Sequence, residues 1–400
     1  MPNHTIPLKI LMTAGEVSGD RQAAHLASEI HAQDSSVLLY GTGGEMMRRA
    51  GVDIAVQTSQ YGSVGVQESL RFVKPLRKTL RLIRHLVTEQ RPDIAVLIDN
   101  EGFNGVLARF LAREQIPFIY YFPPQVWLWG EWRARRIARQ AKLIIPAFSP
   151  EAEIYRREGG RVEWFGHPLL DIVRLTADPE QSFRMNGLTP SRRTVGILPG
   201  SRFQEIEELC DPILGAVRIF LRRYPDLQVV MPLAAPHLRG RVEEKLLRSG
   251  LSQRIRLLTE NVYDCLSRCD LLLLSSGTAT LEGALLGVPM VAAYRVSPVT
   301  YAIGKRLVKS RFIAMPNILL NEPVMPELIQ DQVTPDALAA IGLKILSDPG
   351  RALRMTEKLR TIRGMLGSEG VLHQVAASVL QEAAVSRLIR SPEPVLSPGG

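Results

Sequence analysis

Acidic side chains directly follow two short apolar segments of the sequence. Glu16 comes soon after residues 8–12, and Asp99 and Glu101 follow residues 94–98 in the sequence IDNEGFN. Transfer of a group to a hydroxyl needs a general base that takes the hydroxyl proton, and a carboxylate is a common choice. Asp99 and Glu101 are two positions apart, so their side chains point the same way if the chain stays extended. We therefore predict Asp99, Glu101 and Glu16 as candidate catalytic residues, with solvated turn carboxylates as the alternative.

The sequence AGEVSGD at residues 14–20 has the composition of a turn between a strand and a helix. Its glycines permit a tight turn, and the helical pattern that follows offers unpaired amides to an anion. The turn lacks the lysine of a P-loop and is not GxGxxG, so it gives little support to nucleoside triphosphate or dinucleotide binding. Ser18 is a candidate substrate contact here; the alternative is that Ser18 or Asp20 caps the helix.

The clearest phosphate-binding pattern is SSGTATLEGALLGVPMV at residues 275–291. An apolar strand pattern gives way to a small polar turn and then to a helix, so Ser276, Gly277 and Thr278 lie at a helix N-terminus. Free amides and the helix dipole favour phosphate at such a position. Glu282 follows one helical turn later and can accept hydrogen bonds from ribose hydroxyls. A capped helix with a structural glutamate is the alternative.

A second anion-binding pattern is LPGSR at residues 198–202. A Pro-Gly turn at a strand end is followed by Arg202, whose guanidinium group can form paired hydrogen bonds with a diphosphate. Arginines at strand ends are also often merely solvated, so both interpretations remain open.

Aromatic and basic side chains are concentrated in YYFPPQVWLWGEWRARRIA at residues 120–138. The tryptophans there can stack on sugar faces or lie at a lipid interface, and the arginines can bind phosphate. Ordinary packing of the tryptophans is the alternative. The residues concerned are Trp127, which we take as a candidate substrate contact, Trp129, Trp132, Arg133, Arg135 and Arg136.

Residues 71–87 form a basic amphipathic pattern. Apolar residues at helical spacing form one stripe, and lysines and arginines are distributed around it. Such a segment can lie on an anionic membrane, where each cation near the surface contributes on the order of 1 kcal/mol. An ordinary crossover helix explains the pattern equally well. The candidate membrane contacts are Val73, Leu76, Arg77, Leu80 and Arg81.

The composition limits the classes of partner and compartment. The 49 Lys and Arg residues outnumber 40 Asp and Glu, and the resulting charge of +9 favours nucleic acid, a phospholipid surface or a phosphorylated substrate. The basic residues follow an apolar stripe and no nucleic-acid-binding module is recognised, which argues against nucleic acid. Three cysteines are too few for a disulfide framework and lack a second pair for metal, so we predict buried thiols, a reducing cytoplasm and no metal or cofactor.

Short apolar runs alternate with helical patterns along the whole chain, which indicates parallel sheets. With 400 residues there is room for two doubly wound α/β domains. No stretch of about 18 uncharged apolar residues occurs, so any membrane contact is predicted to be peripheral. We predict one domain over residues 1–175, a second over 190–365, helices at 366–390 packing back on the first domain, and a mobile tail at 391–400.

Taken in order, five segments closely resemble lipid-A-disaccharide synthases, which are family 19 glycosyltransferases. The resemblance spans nearly the whole chain, and the order of its motifs is more specific than any one of them. The segments are AGEVSGD, FGHPLLD at residues 165–171, LPGSRFQEIEEL, SSGTATLEGALLGVPMVAAYR, and KRLVKSRFIAMPNILLNEPVMPELIQ at residues 305–330.

The resemblance implies a GT-B fold, with two Rossmann-like domains facing a cleft, and an inverting transfer. The 2,3-diacylglucosamine of a UDP carrier would pass to the 6-hydroxyl of 2,3-diacylglucosamine 1-phosphate, giving a β-1,6 disaccharide phosphate and UDP at the inner face of the inner membrane. A homodimer is possible. The second domain would bind UDP through Arg202, Ser276, Gly277, Thr278 and Glu282, and Asn317 and Glu327 would line the cleft.

One position departs from the pattern of this family. Its members usually carry an Asp immediately before the Phe-Asn pair, where this chain has Gly102. Asp99 keeps the first acid of the pattern and Glu101 lies beside the missing one, so either is a candidate base. Two alternatives remain open: a UDP-sugar or lipid-binding homologue with impaired catalysis, and another GT-B enzyme such as a UDP-sugar epimerase.

Overall fold

The computed structural model describes residues 6–58, 73–176, 178–308 and 310–390, with the side chains of residues 73–76 left out. The chain divides into two compact units. The described parts of residues 1–168, together with residues 368–390, form the first unit, and residues 169–367 form the second. The predicted tail at residues 391–400 lies outside the described residues.

The described part of the first unit is built on a parallel six-stranded sheet in the order β3-β2-β1-β4-β5-β6. These strands are the apolar runs of the sequence, and β4 is buried along its whole length because helices cover both faces of a doubly wound sheet. The strands are β1 (Lys9–Ala14), β2 (Leu38–Gly43), β3 (Asp53–Gln57), β4 (Ile94–Ile98), β5 (Phe118–Tyr121) and β6 (Leu143–Ile145).

Helices connect these strands, and the last one returns from the C-terminal part of the chain. It packs on α1 and on β4. The helices described in this unit are α1 (Val17–Gln33), α2 (Glu45–Arg49), α3 (Val73–Gln90), α4 (Glu101–Arg113), α5 (Ala134–Gln140), α6 (Ser149–Arg157) and α17 (Val371–Arg390), with a 3-10 turn at Glu131–Arg133.

The second unit repeats the architecture with the order β12-β11-β10-β7-β8-β9, again with all described pairings parallel. Read from its first strand, this order matches that of the first sheet, so both units have the Rossmann arrangement. The strands are β7 (Thr194–Leu198), β8 (Gln228–Pro232), β9 (Ile255–Leu258), β10 (Leu271–Ser275), β11 (Met290–Tyr294) and β12 (Glu327–Ile329).

The helices of the second unit flank its sheet, and α9 with α15 and α12 with α16 form its largest helix contacts. The predicted α/β class with two doubly wound sheets is therefore confirmed. The helices are α7 (Leu169–Ile172), α8 (Pro179–Met185), α9 (Phe203–Arg223), α10 (Arg239–Arg248), α11 (Val262–Ser267), α12 (Thr278–Leu286), α13 (Pro298–Leu307), α14 (Met315–Leu320), α15 (Pro335–Ser347) and α16 (Pro349–Met365).

The apolar stripe of α3 faces the protein interior. Ile83 and Val87 are fully buried in the core of the first unit, and Leu80 packs against the same cluster. The assignment of Leu80 as a membrane contact is therefore wrong, because this stripe covers the sheet as in an ordinary crossover helix. Arg77 and Arg81 are exposed, whereas the side chains of Val73 and Leu76 lie outside the described part of the chain.

The cysteines and the helix lengths of the described residues test two further predictions, buried thiols and the lack of a membrane-spanning helix. Cys210, Cys265 and Cys269 are free and buried, which confirms the prediction of buried thiols, and burial raises the pKa of Cys265 to about 11. No helix of the described residues has the length and hydropathy needed to cross a bilayer.

Candidate functional site

The loops after β1 and β4 meet at the point where the strand order of the first sheet reverses. Glu16 follows β1 and Asp99 follows β4, and these two strands are hydrogen-bonded neighbours. The fit between the loops is close: a Cβ atom at Gly15 would lie 1.7 Å from the Nδ2 atom of Asn100. Ligands of open parallel sheets bind at such a switch point, so the structure places Glu16 and Asp99 at the expected edge.

The chain does not remain extended between Asp99 and Glu101. Asp99 and Asn100 have φ values of 53° and 40°, in the left-handed region, and α4 begins at Glu101. The expectation that both carboxylates point the same way from an extended strand is therefore wrong, because the turn into the helix breaks the alternation. Asp99 lies on the exposed turn itself, and Glu101 occupies the first helical position.

Asn104 fixes the turn that carries Asp99. Its Nδ2 atom donates to the backbone oxygens of Ile98 and Asp99 at 3.1 and 2.7 Å, and its Oδ1 atom accepts from the hydroxyl of Thr13 on β1 at 2.7 Å. Asn104 is completely buried. Asn104 was not among the predicted site residues, although its place in IDNEGFN, five positions after Asp99, was the available signal.

Glu101 forms an ion pair with a buried arginine. Arg133, only 3% exposed, pairs with Glu101, donates to the backbone oxygens of Trp129 and Gly130, and stacks over the Trp129 ring with its Cζ atom 3.6 Å from the ring centre. Protonation of Glu101 would leave this guanidinium group without its counterion, which is costly in a buried site. This ion pair argues against Glu101 as the base and assigns Arg133 to packing rather than to phosphate binding.

Trp127 lies in a cluster of aromatic rings. Its ring centre is 5.7 Å from that of Phe148, which is in turn 5.2 Å from the ring of the buried His167. Burial lowers the pKa of His167 to about 3, so this imidazole is neutral. Within the described residues, the buried Nε1 atom of Trp127 has no hydrogen-bond partner. The indole therefore packs in the cluster and still has a donor for a ligand or a water molecule.

A buried carboxyl group that was not among the predicted site residues lies at the start of α6. Glu151 is 1% exposed, and the backbone amides of Ala147 and Phe148 donate to it. Burial raises its pKa well above the usual range, and the negative charge of Asp99 acts in the same direction. A glutamate three positions after the helix cap was the signal in the sequence.

The structure does not match the alternative in which Ser18 or Asp20 of AGEVSGD caps the following helix. Glu16 occupies the cap position of α1 by its backbone, so neither Ser18 nor Asp20 caps that helix. Instead, Asp20 accepts hydrogen bonds from the amides of Gly44, Met46 and Met47 at 2.7, 3.2 and 3.2 Å, which caps α2. Burial raises the pKa of Asp20 against the effect of these bonds. Ser18 lies in the first turn of α1 and is partly exposed.

The switch point of the second sheet brings the two predicted anion-binding loops to one edge. Leu198 at the end of β7 pairs with Leu274 near the end of β10, and Arg202 and Gly277 follow these neighbouring strands. Tyr294, at the end of β11, is close enough for the charge of Arg202 to act on its pKa, which burial raises. Arg202 and the start of α12 therefore lie at the same edge of the second sheet.

The N-terminus of α12 is open at Gly277. Gly277 is the cap residue, and a Cβ atom there would meet no atom within 4 Å. The amide of Ser276 donates to the backbone oxygen of Ala293, so Ser276 continues the sheet, and Thr278 is the first helical residue. Glu282 follows one turn later and is 6% exposed. The open space lies where the amides and dipole of the helix favour an anion.

The carboxylate of Glu205, in the first turn of α9, binds back to the LPGSR loop that precedes the helix. Glu205 accepts hydrogen bonds from the amide of Ser201 at 2.7 Å and from Nη1 of Arg202 at 2.7 Å. Gly200 has a φ of 142° and lies against Glu205, so that a Cβ atom would be 2.2 Å from the Cβ atom of Glu205. Glu205 therefore occupies the amides of Ser201 and Arg202, which would otherwise be available to an anion.

Asn317 and Glu327 bind each other. The Nδ2 atom of Asn317 donates to Glu327 at 2.8 Å, and Glu327 also accepts from the amides of Ile313 and Ala314 at 2.9 and 3.0 Å. Asn317 is buried. Its Nδ2 atom donates to the backbone oxygen of Met325, and its Oδ1 atom accepts from the backbone amide of Met325. In this structure the pair fixes the segment that precedes α14.

The comparisons with known proteins agree with the fold and with the motifs. The family model described as lipid-A-disaccharide synthetase matches residues 10–378. The chain belongs to the lipid-A-disaccharide synthetase family. It is 39% identical over 93% of its length to the lipid-A-disaccharide synthase of Geobacter sulfurreducens, covering 97% of that protein, and 33% identical over 94% of its length to the Synechocystis enzyme, covering 98%. As a member of this family, the chain is a glycosyltransferase.

Solved structures with little sequence identity to this chain share its fold. The UDP-GlcNAc 2-epimerase of Neisseria meningitidis, bound to UDP-GlcNAc, matches with a TM-score of 0.62 at 13% identity, covering 94% of this chain and 100% of that one. Anabaena HepE, in complex with UDP and glucose, matches with a TM-score of 0.54 at 15% identity, covering 93% and 99%. These similarities establish the GT-B fold class.

Proposed function

We propose that this glycosyltransferase moves 2,3-diacylglucosamine from its UDP carrier to the 6-hydroxyl of 2,3-diacylglucosamine 1-phosphate. The products are UDP and a β-1,6-linked disaccharide 1-phosphate. The observation that carries the proposal is the open N-terminus of α12 at Gly277, beside Arg202 on the same edge of the second sheet. Family membership supplies the acylated substrates, and solved relatives of the fold contain UDP.

In this proposal the second unit binds the donor. The diphosphate lies at the first amides of α12, next to Gly277 and Thr278, and the guanidinium group of Arg202 stabilises the charge that develops as UDP leaves. Glu282, one turn along the helix, accepts hydrogen bonds from the ribose. Asn317 and Glu327 act through the segment that they hold in place.

The first unit supplies the base. Asp99 accepts the proton of the acceptor 6-hydroxyl, the oxygen attacks the anomeric carbon, and the bond to UDP breaks in the same displacement, which inverts the configuration. Asn104 positions the Asp99 turn, and Glu101 remains paired with Arg133. Glu16 and Ser18, on the neighbouring loop, contact the acceptor, and the Nε1 atom of Trp127 offers a donor.

We also propose that the protein works at the cytoplasmic face of the inner membrane, because both substrates carry acyl chains. Arg77 and Arg81 are exposed on α3 and can approach anionic headgroups.

Release of UDP tests the proposal. Purified protein with the UDP-diacylglucosamine donor, the acceptor phosphate and detergent is expected to release UDP and form the disaccharide. Turnover of unacylated UDP-N-acetylglucosamine with no disaccharide would favour an epimerase instead. The variant Gly102→Asp tests the third possibility, a homologue with impaired catalysis. A Cβ atom at position 102 would have only Asn100 within 4 Å, at 3.8 Å, so the substitution causes no clash at this atom. Activity that appears only in this variant would show an impaired homologue.

A further inference from the structure

The outer face of α5 and the turn before it combine an exposed tryptophan with three exposed arginines. Trp132 is 77% exposed, and Arg135, Arg136 and Arg139 are exposed as well. Helical spacing places these four side chains on one side. The opposite side, formed by Ala134, Ile137 and Ala138, is buried in the core of the first unit.

The positive charge of this face is not neutralised locally. Within the described part of the chain, Arg135, Arg136 and Arg139 form no ion pair. The nearby acids are already engaged, since Glu131 pairs with Arg157 and Glu101 pairs with Arg133.

Exposed arginines also occur on the neighbouring helices α3 and α4 of the same unit. Residues of α3, α4 and α5 share one core cluster, and α4 packs against both other helices. Arg77 and Arg81 on α3 and Arg109 and Arg113 on α4 are exposed. Trp132 also follows β5, so it lies at the same end of the sheet as Asp99, which follows β4.

We propose that Trp132 and the arginines of α5 dock on an anionic phospholipid surface. An indole at this position enters the headgroup region, where its apolar body and polar N–H are both accommodated, and the arginines bind phosphate. Charge complementarity favours an anionic surface. The inference rests on the proposed function, because acylated substrates must be drawn from a bilayer, and docking beside the Asp99 edge brings the site to them.

Cosedimentation with vesicles tests this docking face on the full-length protein. The wild type is expected to bind vesicles of equal parts phosphatidylglycerol and phosphatidylcholine, and not pure phosphatidylcholine. Each cation contributes about fivefold, equivalent to about 1 kcal/mol, so Arg135→Gln/Arg139→Gln should weaken binding about 25-fold. Trp132→Ala should weaken it about tenfold, and Trp132→Phe less. Circular dichroism checks that each variant is folded.

Matched controls lie on the second unit. Arg351→Gln/Arg354→Gln removes two exposed cations from α16, and Leu247→Ala removes an exposed apolar side chain that is 73% exposed. Both should bind vesicles like the wild type. Equal losses of vesicle affinity in the test and control variants would overturn the proposal. Binding of a DNA duplex through the same arginines, as tight as binding of the anionic vesicles, would also overturn it. UDP release in detergent without vesicles reports on the proposed function separately.

Discussion

One oxygen of the Glu205 carboxylate accepts a hydrogen bond from the guanidinium group of Arg202, while the other accepts from the amide of Ser201, both at 2.7 Å. An internal carboxylate thus occupies the loop amides where an anion would otherwise bind. It also orients the one cation of the loop by a charge-assisted bond, which is stronger than a neutral one. The phosphate groups of a donor are therefore expected to meet the Arg202 side chain and the start of α12, rather than the backbone of LPGSR.

Glu205→Ala should raise the KM for the UDP-sugar donor. Without the carboxylate, Arg202 loses the orientation that favours the diphosphate, and a lost charged hydrogen bond of about 1.5 kcal/mol corresponds to about tenfold. Steady-state kinetics with varied donor checks this. Glu207→Ala is the control: it lies on the same helix and breaks a comparable ion pair, with Arg241. A similar KM increase in both variants would mean that general loosening of α9, not Arg202, is responsible.

Gly277→Ala should leave the unliganded protein intact and weaken UDP binding by at least tenfold. Gly277 has an extended φ of −169°, which alanine adopts freely, and the new methyl group meets no protein atom within 4 Å. The methyl group would instead occupy the space proposed for the diphosphate, which needs close approach to the helix amides. Calorimetric titration with UDP measures the effect. Gly240→Ala, equally free of clashes in α10, should bind UDP normally. Normal UDP affinity in Gly277→Ala would rule out phosphate at this turn.

Asp99→Asn should lower kcat by at least a hundredfold and leave the KM of the donor nearly unchanged. General bases typically contribute 10²–10⁴-fold, and Asp99 belongs to the unit that is not proposed to bind UDP. The comparison is Glu101→Gln, which keeps the shape but removes the counterion of Arg133. It should destabilise the fold by about 1–3 kcal/mol and change kcat less than tenfold. The reverse order of the two kcat values would make Glu101 the base.

The two Rossmann units were predictable because buried parallel strands have a simple signature. Runs such as residues 94–98 and 271–274 are apolar without interruption, and polar turns follow them directly. The order of the strands then places those turns at one sheet edge. This reasoning located Asp99, Arg202 and Gly277 correctly at the two switch points, because it depends on topology and not on the conformation of any side chain.

The failed expectations depended on side-chain partners distant in sequence. Glu101 pairs with Arg133, 32 residues away, and nothing in IDNEGFN indicates this partner. The stripe of α3 has the same spacing whether it faces a sheet or a bilayer, so the burial of Ile83 and Val87 had to come from the structure. Glu205 was different, since its position three residues after Arg202 could have indicated that it closes the loop.

The last helix is held to the first unit by an ion cluster with a predictable pH dependence. Asp93, 1% exposed, pairs with Arg387 and Arg390 of α17 and accepts from the amide of Lys9 at 2.9 Å. Burial alone would raise the pKa of Asp93, but the hydrogen bonds and charges of these partners outweigh it and lower the pKa. The stabilisation is therefore complete above the unfolded value near 3.8 and is lost as the pH falls through the lower folded value.

Asp93→Asn should lower the free energy of unfolding by about 2 kcal/mol at neutral pH, because two arginines lose their counterion while both keep some contact with water. For a unit of this size the thermal midpoint should fall by about 4–8 °C. As the pH falls below 3.8 and then through the lower folded value, the variant and the wild type should converge, because Asp93 becomes protonated first in the unfolded and then in the folded wild type. Glu243→Gln, which breaks the exposed pair with Arg239, should shift the midpoint by less than about 2 °C. A midpoint difference that persists unchanged at acid pH would show that Asp93 acts by packing and not by its charge.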